Sequence, residues 1–211
     1  MLPDRLREGY AEFRSGRYAA ERDRWQRLAD SQKPDTMVIA CCDSRAAPEI
    51  IFGAGPGELF VLRNVANLVP PYQPDSAYHS TSAAIEFAVN GLQVRHIVVM
   101  GHGRCGGIAA ALATSMGDEA PSDFIGPWMS LVKPLAARCC AEHAEPSARQ
   151  LALERASVSN SLANLRSFPW VDARVSDGRL SLHGAWFDIG LGELSALDQK
   201  AGRWATMPSA S

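Results

Sequence analysis

Two short clusters in the 211-residue chain carry side chains that can do chemistry together: Cys41-Cys42-Asp43-Ser44-Arg45 and Gly101-His102-Gly103-Arg104-Cys105-Gly106-Gly107. The His102-x-x-Cys105 spacing lets one turn deliver an imidazole and a thiolate to one ion, and Cys41 adds a second thiolate. Zinc takes such ligands tetrahedrally, and three protein ligands leave a fourth position for water, as in catalytic rather than structural sites. In extended chain, residues 41, 43 and 45 project to one side and 42 and 44 to the other. Cys41, Asp43 and Arg45 then form one working set. A metal-bound hydroxide would donate a hydrogen bond to Asp43, and the planar fork of Arg45 would keep that carboxylate ionised and in place. Cys42 is expected to be a packed small residue. Cys105 precedes the apolar stretch from Ile108 to Leu112 and is expected to open a helix whose N-terminal dipole lowers its thiol pKa. The adjacent Cys139-Cys140 pair is left outside the set, because neighbours on a helix point about 100° apart.

These clusters need elements to hold them. Three short runs, Thr36 to Cys41, Glu58 to Arg63 and His96 to Gly101, are continuously apolar rather than alternating, the pattern of strands covered on both faces of a parallel sheet. Ala77 to Leu92 carries Ala84, Ile85, Ala88, Val89 and Leu92 at helical spacing and can serve as a crossover. Both reactive clusters therefore leave the carboxyl ends of strands, where open parallel sheets bind their ligands. Ser147 to Phe168 reads as a helix with Pro169 just past its end, and the alternation from Arg179 to Ile189 suggests a late edge strand. Residues 3–30 place Leu6, Tyr10, Phe13, Tyr18 and Trp25 at helical spacing around a break at Gly16. The expected fold is α/β: a mainly parallel central β-sheet flanked by helices, with an N-terminal helical arm over 1–30, a zinc-binding domain over 31–205 and a loose tail over 206–211.

Composition narrows the function classes. With 21 Lys+Arg against 23 Asp+Glu the net charge is −2, which argues against nucleic acid as a partner. No apolar run approaches the ~18 residues of a membrane helix, and five cysteines, an odd number, suit thiolate chemistry in a reducing cytoplasm better than a disulfide set.

The two clusters, with Glu58-Leu59-Phe60-Val61-Leu62-Arg63-Asn64-Val65-Ala66-Asn67 and Ala84-Ile85-Glu86-Phe87-Ala88-Val89, resemble the beta-class carbonic anhydrases. The likeness runs from about Gln32 to Leu112, with a weaker one near His183-Gly184. It implies a lyase that hydrates CO2 reversibly to bicarbonate and a proton, using zinc-bound hydroxide oriented by an Asp-Arg dyad, and working as a homodimer or a multiple of dimers embraced by the N-terminal arms. Position by position, it implies Cys41, His102 and Cys105 as ligands of one zinc per chain and Asp43 with Arg45 as the catalytic dyad. Gln32, Phe60, Val65, Phe87 and the Gly106 amide fall where the family lines its substrate pocket, although Phe87 stands where the nearest subgroup commonly has tyrosine. One subgroup is shut by bicarbonate in a pocket whose positions match Val38, Arg63 and Phe187 here. Only the arginine is kept, so the resemblance is to the subgroup without that pocket. Two alternatives stay open on sequence: a hydrolase of a related heteroallene such as CS2 or COS, and a non-catalytic zinc-bound structural subunit.

Overall fold

The β-branched run Val38-Ile39 and its counterparts Val61 and Val98-Val99 favour extended chain, and each sits inside a strand of one sheet. The computed structural model describes residues 1–75, 77–118 and 122–208. The arm consists of α1 (Asp4–Ser15), α2 (Arg17–Ala20) and α3 (Arg22–Asp30). There follow β1 (Thr36–Cys41), α4 (Pro48–Ile51), β2 (Leu59–Asn64), α5 (Ser80–Glu86) and β3 (His96–His102). The second half holds α6 (Gly106–Ser115), α7 (Ile125–Met129), α8 (Lys133–Glu142), α9 (Pro146–Leu165) and α10 (Pro169–Ser176), then β4 (Ser181–Asp188), β5 (Glu193–Asp198) and β6 (Arg203–Thr206).

The sheet has six strands in the order β2-β1-β3-β4-β5-β6. The first four run parallel, and β5 and β6 are added antiparallel. The parallel α/β expectation holds. The late strand does not lie at the edge: β4 is paired on both sides, and the edges fall to β2 and β6. The ladder also runs past residue 205, since Thr206 pairs with Ser195 and the Met207 N–H donates to the Leu194 carbonyl. The rest of the expected tail, from 209, lies outside the described residues. The crossover helix is shorter than its apolar spacing suggested. It ends at Glu86 and passes into a wide π-type turn, Phe87–Gly91, before Gln93 takes a positive φ of 58°.

One core layer lies between the sheet and α9, with Met37, Ile39, Ile97, Val99, Val158 and Leu165 all fully buried. Each such side chain contributes about 1.5–3 kcal/mol through apolar burial. Two glycines set how closely α9 can approach. A Cβ at Gly101 would stand 2.9 Å from Val158 Cγ2, and one at Gly184 would stand 3.1 Å from Val158 Cγ1. Alanine at Gly101 would push the helix off the strand ends. A second layer, Ala66, Leu68, Ile108, Leu112, Val132 and Leu153, surrounds the carboxyl end of β1.

The arm is packed differently. Phe13, Tyr18 and Trp25 form their own aromatic cluster, with ring centroids 5.5–6.0 Å apart. Yet α1 buries no residue, and Leu6 and Tyr10 remain 56% and 62% exposed. The arm is tied down through α3, where Arg24 donates to Glu58 Oε1 at 2.6 Å and to the Pro56 carbonyl at 3.0 Å.

Candidate metal centre

β1 ends on Cys41 and β3 ends on His102, and the parallel pairing of β1 with β3 brings both ends to one level of the sheet. From β3 the chain turns through Gly103 and Arg104, the latter at a φ of +57°, and enters α6 with Cys105 at its N-cap. The three side chains converge. Their ligand atoms all lie within 4.8 Å of one another, and the residues are 6%, 1% and 1% exposed. The two sulfurs are 3.9 Å apart. Two zinc–thiolate bonds of about 2.3 Å at a tetrahedral angle require about 3.8 Å.

The histidine is set for the same purpose. Its Nδ1 bonds the Gly103 carbonyl at 2.9 Å, which fixes the tautomer and leaves the Nε2 lone pair facing the sulfurs. Nε2 is buried and has no hydrogen-bond partner among the described residues, which is costly in a protein interior unless a cation takes the lone pair. The hydrogen bond from Cys105 pulls Cys41 down to about 4, and the same bond pushes the Cys105 thiol up. The Ala66 N–H also points at Cys41 Sγ, 3.4 Å away.

Asp43 stands over the open side of this trio. Its Oδ1 accepts from the Arg45 backbone N–H at 3.0 Å and from Nε at 2.9 Å, and Oδ2 accepts from Nη2 at 2.7 Å. Chiefly through these side-chain bonds, Arg45 holds the carboxyl well below the usual carboxylate range. Oδ2 lies 3.9 Å from His102 Nε2. Arg63, the one kept position of the bicarbonate pocket, clamps the strand end. Its Nε donates to the Cys41 carbonyl at 2.8 Å and its Nη2 to the Asp43 carbonyl at 2.6 Å.

A model of the family described as carbonic anhydrase matches residues 36–194. The chain belongs to this family. Its relatives place it in the beta class. The chain is 39% identical over 201 residues to a carbonic anhydrase of Pseudomonas aeruginosa, covering 95% of this chain and 90% of that one. It is also 39% identical over 189 residues to the chloroplastic beta carbonic anhydrase 5 of Arabidopsis thaliana, of whose length it spans 62%. Among solved structures, the beta-carbonic anhydrase CcaA superposes with a TM-score of 0.90 at 30% identity, over 97% of this chain and 92% of that one. A tetrameric beta-carbonic anhydrase of Sordaria macrospora superposes at 0.79 and 27% identity, over 95% and 96%. Cys41, His102 and Cys105 form the zinc site typical of the beta class.

Of the remaining expected site residues, one chain gathers some and leaves others apart. Val65 packs against the turn after Cys105, where a Cβ on Gly107 would come within 2.8 Å of Val65 Cγ1, and Trp128 Nε1 holds the Val65 carbonyl at 2.8 Å. Gly106 opens α6 with free space over its Cα. Gln32 lies elsewhere, exposed beside Trp25, Leu28, Pro56 and Gly57 at the amino end of β1. Six strand residues separate that end from the metal ligands, a span of about 17 Å. Phe60 pairs in register with Met37, and its ring lies 5.8 Å from Phe87, which is 53% exposed. The expectation for Cys42 is corrected: it is exposed, one residue past the end of β1.

Proposed function

We propose that the chain hydrates CO2 reversibly to bicarbonate and a proton in an assembly of at least two copies, with a site that bicarbonate does not shut. The observation that carries this reading is the grip of Arg45 on Asp43 beside a buried, unpartnered His102 Nε2. Cys41, His102 and Cys105 would hold zinc, which when bound would supply a Lewis acid that lets water ionise near pH 7.

The chain's own groups do the rest. Asp43, kept ionised, is an acceptor only, so it would accept a hydrogen bond from the attacking oxygen and leave that oxygen a lone pair aimed at the CO2 carbon. Val65 offers an apolar wall to a non-polar substrate. The Gly106 N–H belongs to the first turn of α6, where no intrahelical acceptor exists, and it donates to the oxygen on which charge develops. Gln32, Phe60 and Phe87 serve the pocket of a second copy, and the arm packs on that copy through Leu6 and Tyr10. In support, all three pocket residues lie partly or well exposed, and β2 is an edge strand with no fully buried residue.

The unregulated reading is supported by what Arg63 already does. Its Nε and Nη2 are given to backbone carbonyls, Val38 is 1% exposed in the sheet, and Phe187 has a ring but no hydroxyl. With no indole N–H at Val38 and no hydroxyl at Phe187, an anion buried there would be incompletely paired, at a cost of several kcal/mol. The five cysteines are free thiols, in keeping with a reducing compartment such as the cytoplasm. Stopped-flow CO2 hydration on protein of measured zinc content, with molar mass from sedimentation, tests the proposal. A zinc-loaded chain without hydration activity, or an active monomer, would overturn it.

A further inference from the structure

We infer that Glu154 is a positioning residue for the zinc site, acting through the backbone of Cys105. This rests on the metal assignment above and concerns a residue that contacts neither substrate nor the ligand atoms. Glu154 lies on the sheet-facing stripe of α9 with Leu153, Ser157, Val158 and Leu162, and it is 3% exposed. A carboxylate in that position would be strongly destabilising without partners. It has three. Oε1 accepts from the Cys105 N–H at 3.0 Å and from Gln150 Nε2 at 2.7 Å, and Oε2 accepts from Trp186 Nε1 at 3.1 Å. Gln150 Nε2 also donates to the Cys105 carbonyl at 3.0 Å, so both peptide groups flanking Cys105 are held from one helix.

The chemistry at this point calls for a carboxylate. Three N–H donors converge from three directions, and only a side chain with acceptors on both terminal atoms satisfies them all. A glutamine would turn its NH2 group towards the indole N–H or towards the Cys105 N–H. The fold is shaped to allow the contact: glycines at 101 and 184 let α9 lie close enough to the strand ends for Glu154 to reach the turn. The Cys105 thiolate is held by one backbone residue between a left-handed Arg104 and the start of α6, so fixing its peptide fixes where the sulfur stands relative to Cys41 and His102. Outer contacts of this kind typically carry a 10–100-fold effect on metal affinity.

The test is zinc affinity of the assembled protein by chelator competition, together with the visible absorption of the Co2+-substituted form and thermal unfolding of the metal-free form. Glu154→Gln is expected to weaken zinc binding about 10–100-fold and to shift the cobalt bands, while the metal-free protein unfolds near the parental temperature. Gln150→Leu, at a half-buried position, should weaken zinc a few-fold in the same direction. A merely structural role would lower the metal-free unfolding temperature and leave the cobalt spectrum unmoved, and that result overturns the inference. If Glu154→Gln does not fold, Gln150→Leu decides: parental zinc affinity and cobalt bands overturn the inference, and a weakened, shifted site upholds it. Failure of the parent chain to bind zinc would overturn the metal site and this inference together, whereas a zinc-loaded parent matched by both variants overturns the inference alone.

Discussion

The two ends of β1 are built to opposite standards. At its carboxyl end Cys41, His102 and Cys105 are almost completely buried, their strand is clamped by Arg63, and Cys105 is bonded to α9. At its amino end Gln32 and Phe87 are exposed, Phe60 is half-buried, and the strand beside them is an edge. The difference teaches what one chain can and cannot finish alone. A metal site needs fixed distances and exclusion of water, and a single fold supplies both. A CO2 pocket needs only an apolar wall and a few donors, and these can arrive on another copy.

The sharpest way to break this comparison is at the closed end. Cys41→Ser or His102→Ala should empty the site of zinc and abolish CO2 hydration, whereas Cys42→Ser, one residue away and exposed, should keep most of both. Elemental analysis beside stopped-flow assays decides the point. Zinc lost in Cys42→Ser and kept in Cys41→Ser would reverse the assignment.

A smaller effect separates holding the metal from using it. Asp43→Asn leaves all three ligands in place but turns an acceptor-only group into one that presents an NH2, so zinc content should stay at one per chain while kcat falls about 100-fold. Full activity in zinc-loaded Asp43→Asn would return the dyad to a structural ion pair.

How much of this was legible in the sequence follows the same division. The metal ligands could be read because each stands at the end of an apolar run, and a strand end fixes position to within a residue or so. Arg63 and Glu154 could not be assigned their contacts, since their partners are backbone groups, which every residue possesses. β5 and β6 were missed: Glu193–Asp198 begins and ends with acids, and Arg203–Thr206 is four residues long, so neither carries enough periodicity to declare a strand. β4 was misjudged as an edge for the same reason, because its alternation resembles one-sided burial until β5 is known to lie beside it. Gln32 is a pocket residue by resemblance alone, and nothing in its sequence neighbours says that its own chain holds it before the amino end of β1, with the strand between it and Cys41.

That separation gives the next test, expected to be about tenfold, the value of one well-placed hydrogen bond. Gln32→Ala should lose that much activity with zinc intact. Mixing it with Asp43→Asn and allowing exchange of subunits should restore activity, because a mixed dimer pairs an intact metal and dyad on one chain with an intact Gln32 on the other. If Gln32 served its own metal, mixing would restore nothing.

The smallest expected effect is the one that acid has on the dyad, and its sign can be worked out. Arg45 depresses the Asp43 carboxyl in the folded protein, so the stabilisation this pair provides is complete above the unfolded value of about 3.9 and is lost only as pH falls through the lower folded value. Between about pH 5 and pH 8 neither the ionisation of Asp43 nor its bond to Arg45 should change. Arg63 gives two of its five N–H groups to the carbonyls of Cys41 and Asp43, and neither Val38 nor Phe187 adds a polar hydrogen for an anion beside them. Loss of activity on acidification should then follow a single proton, with a log-rate slope no steeper than one and without non-competitive inhibition by bicarbonate. A pH–rate curve that needs several coupled protons, or a crystal structure near neutral pH with Asp43 bonded directly to zinc, would show that the closed end of β1 is itself a switch and that Arg45 releases its partner where acid or bicarbonate demands it.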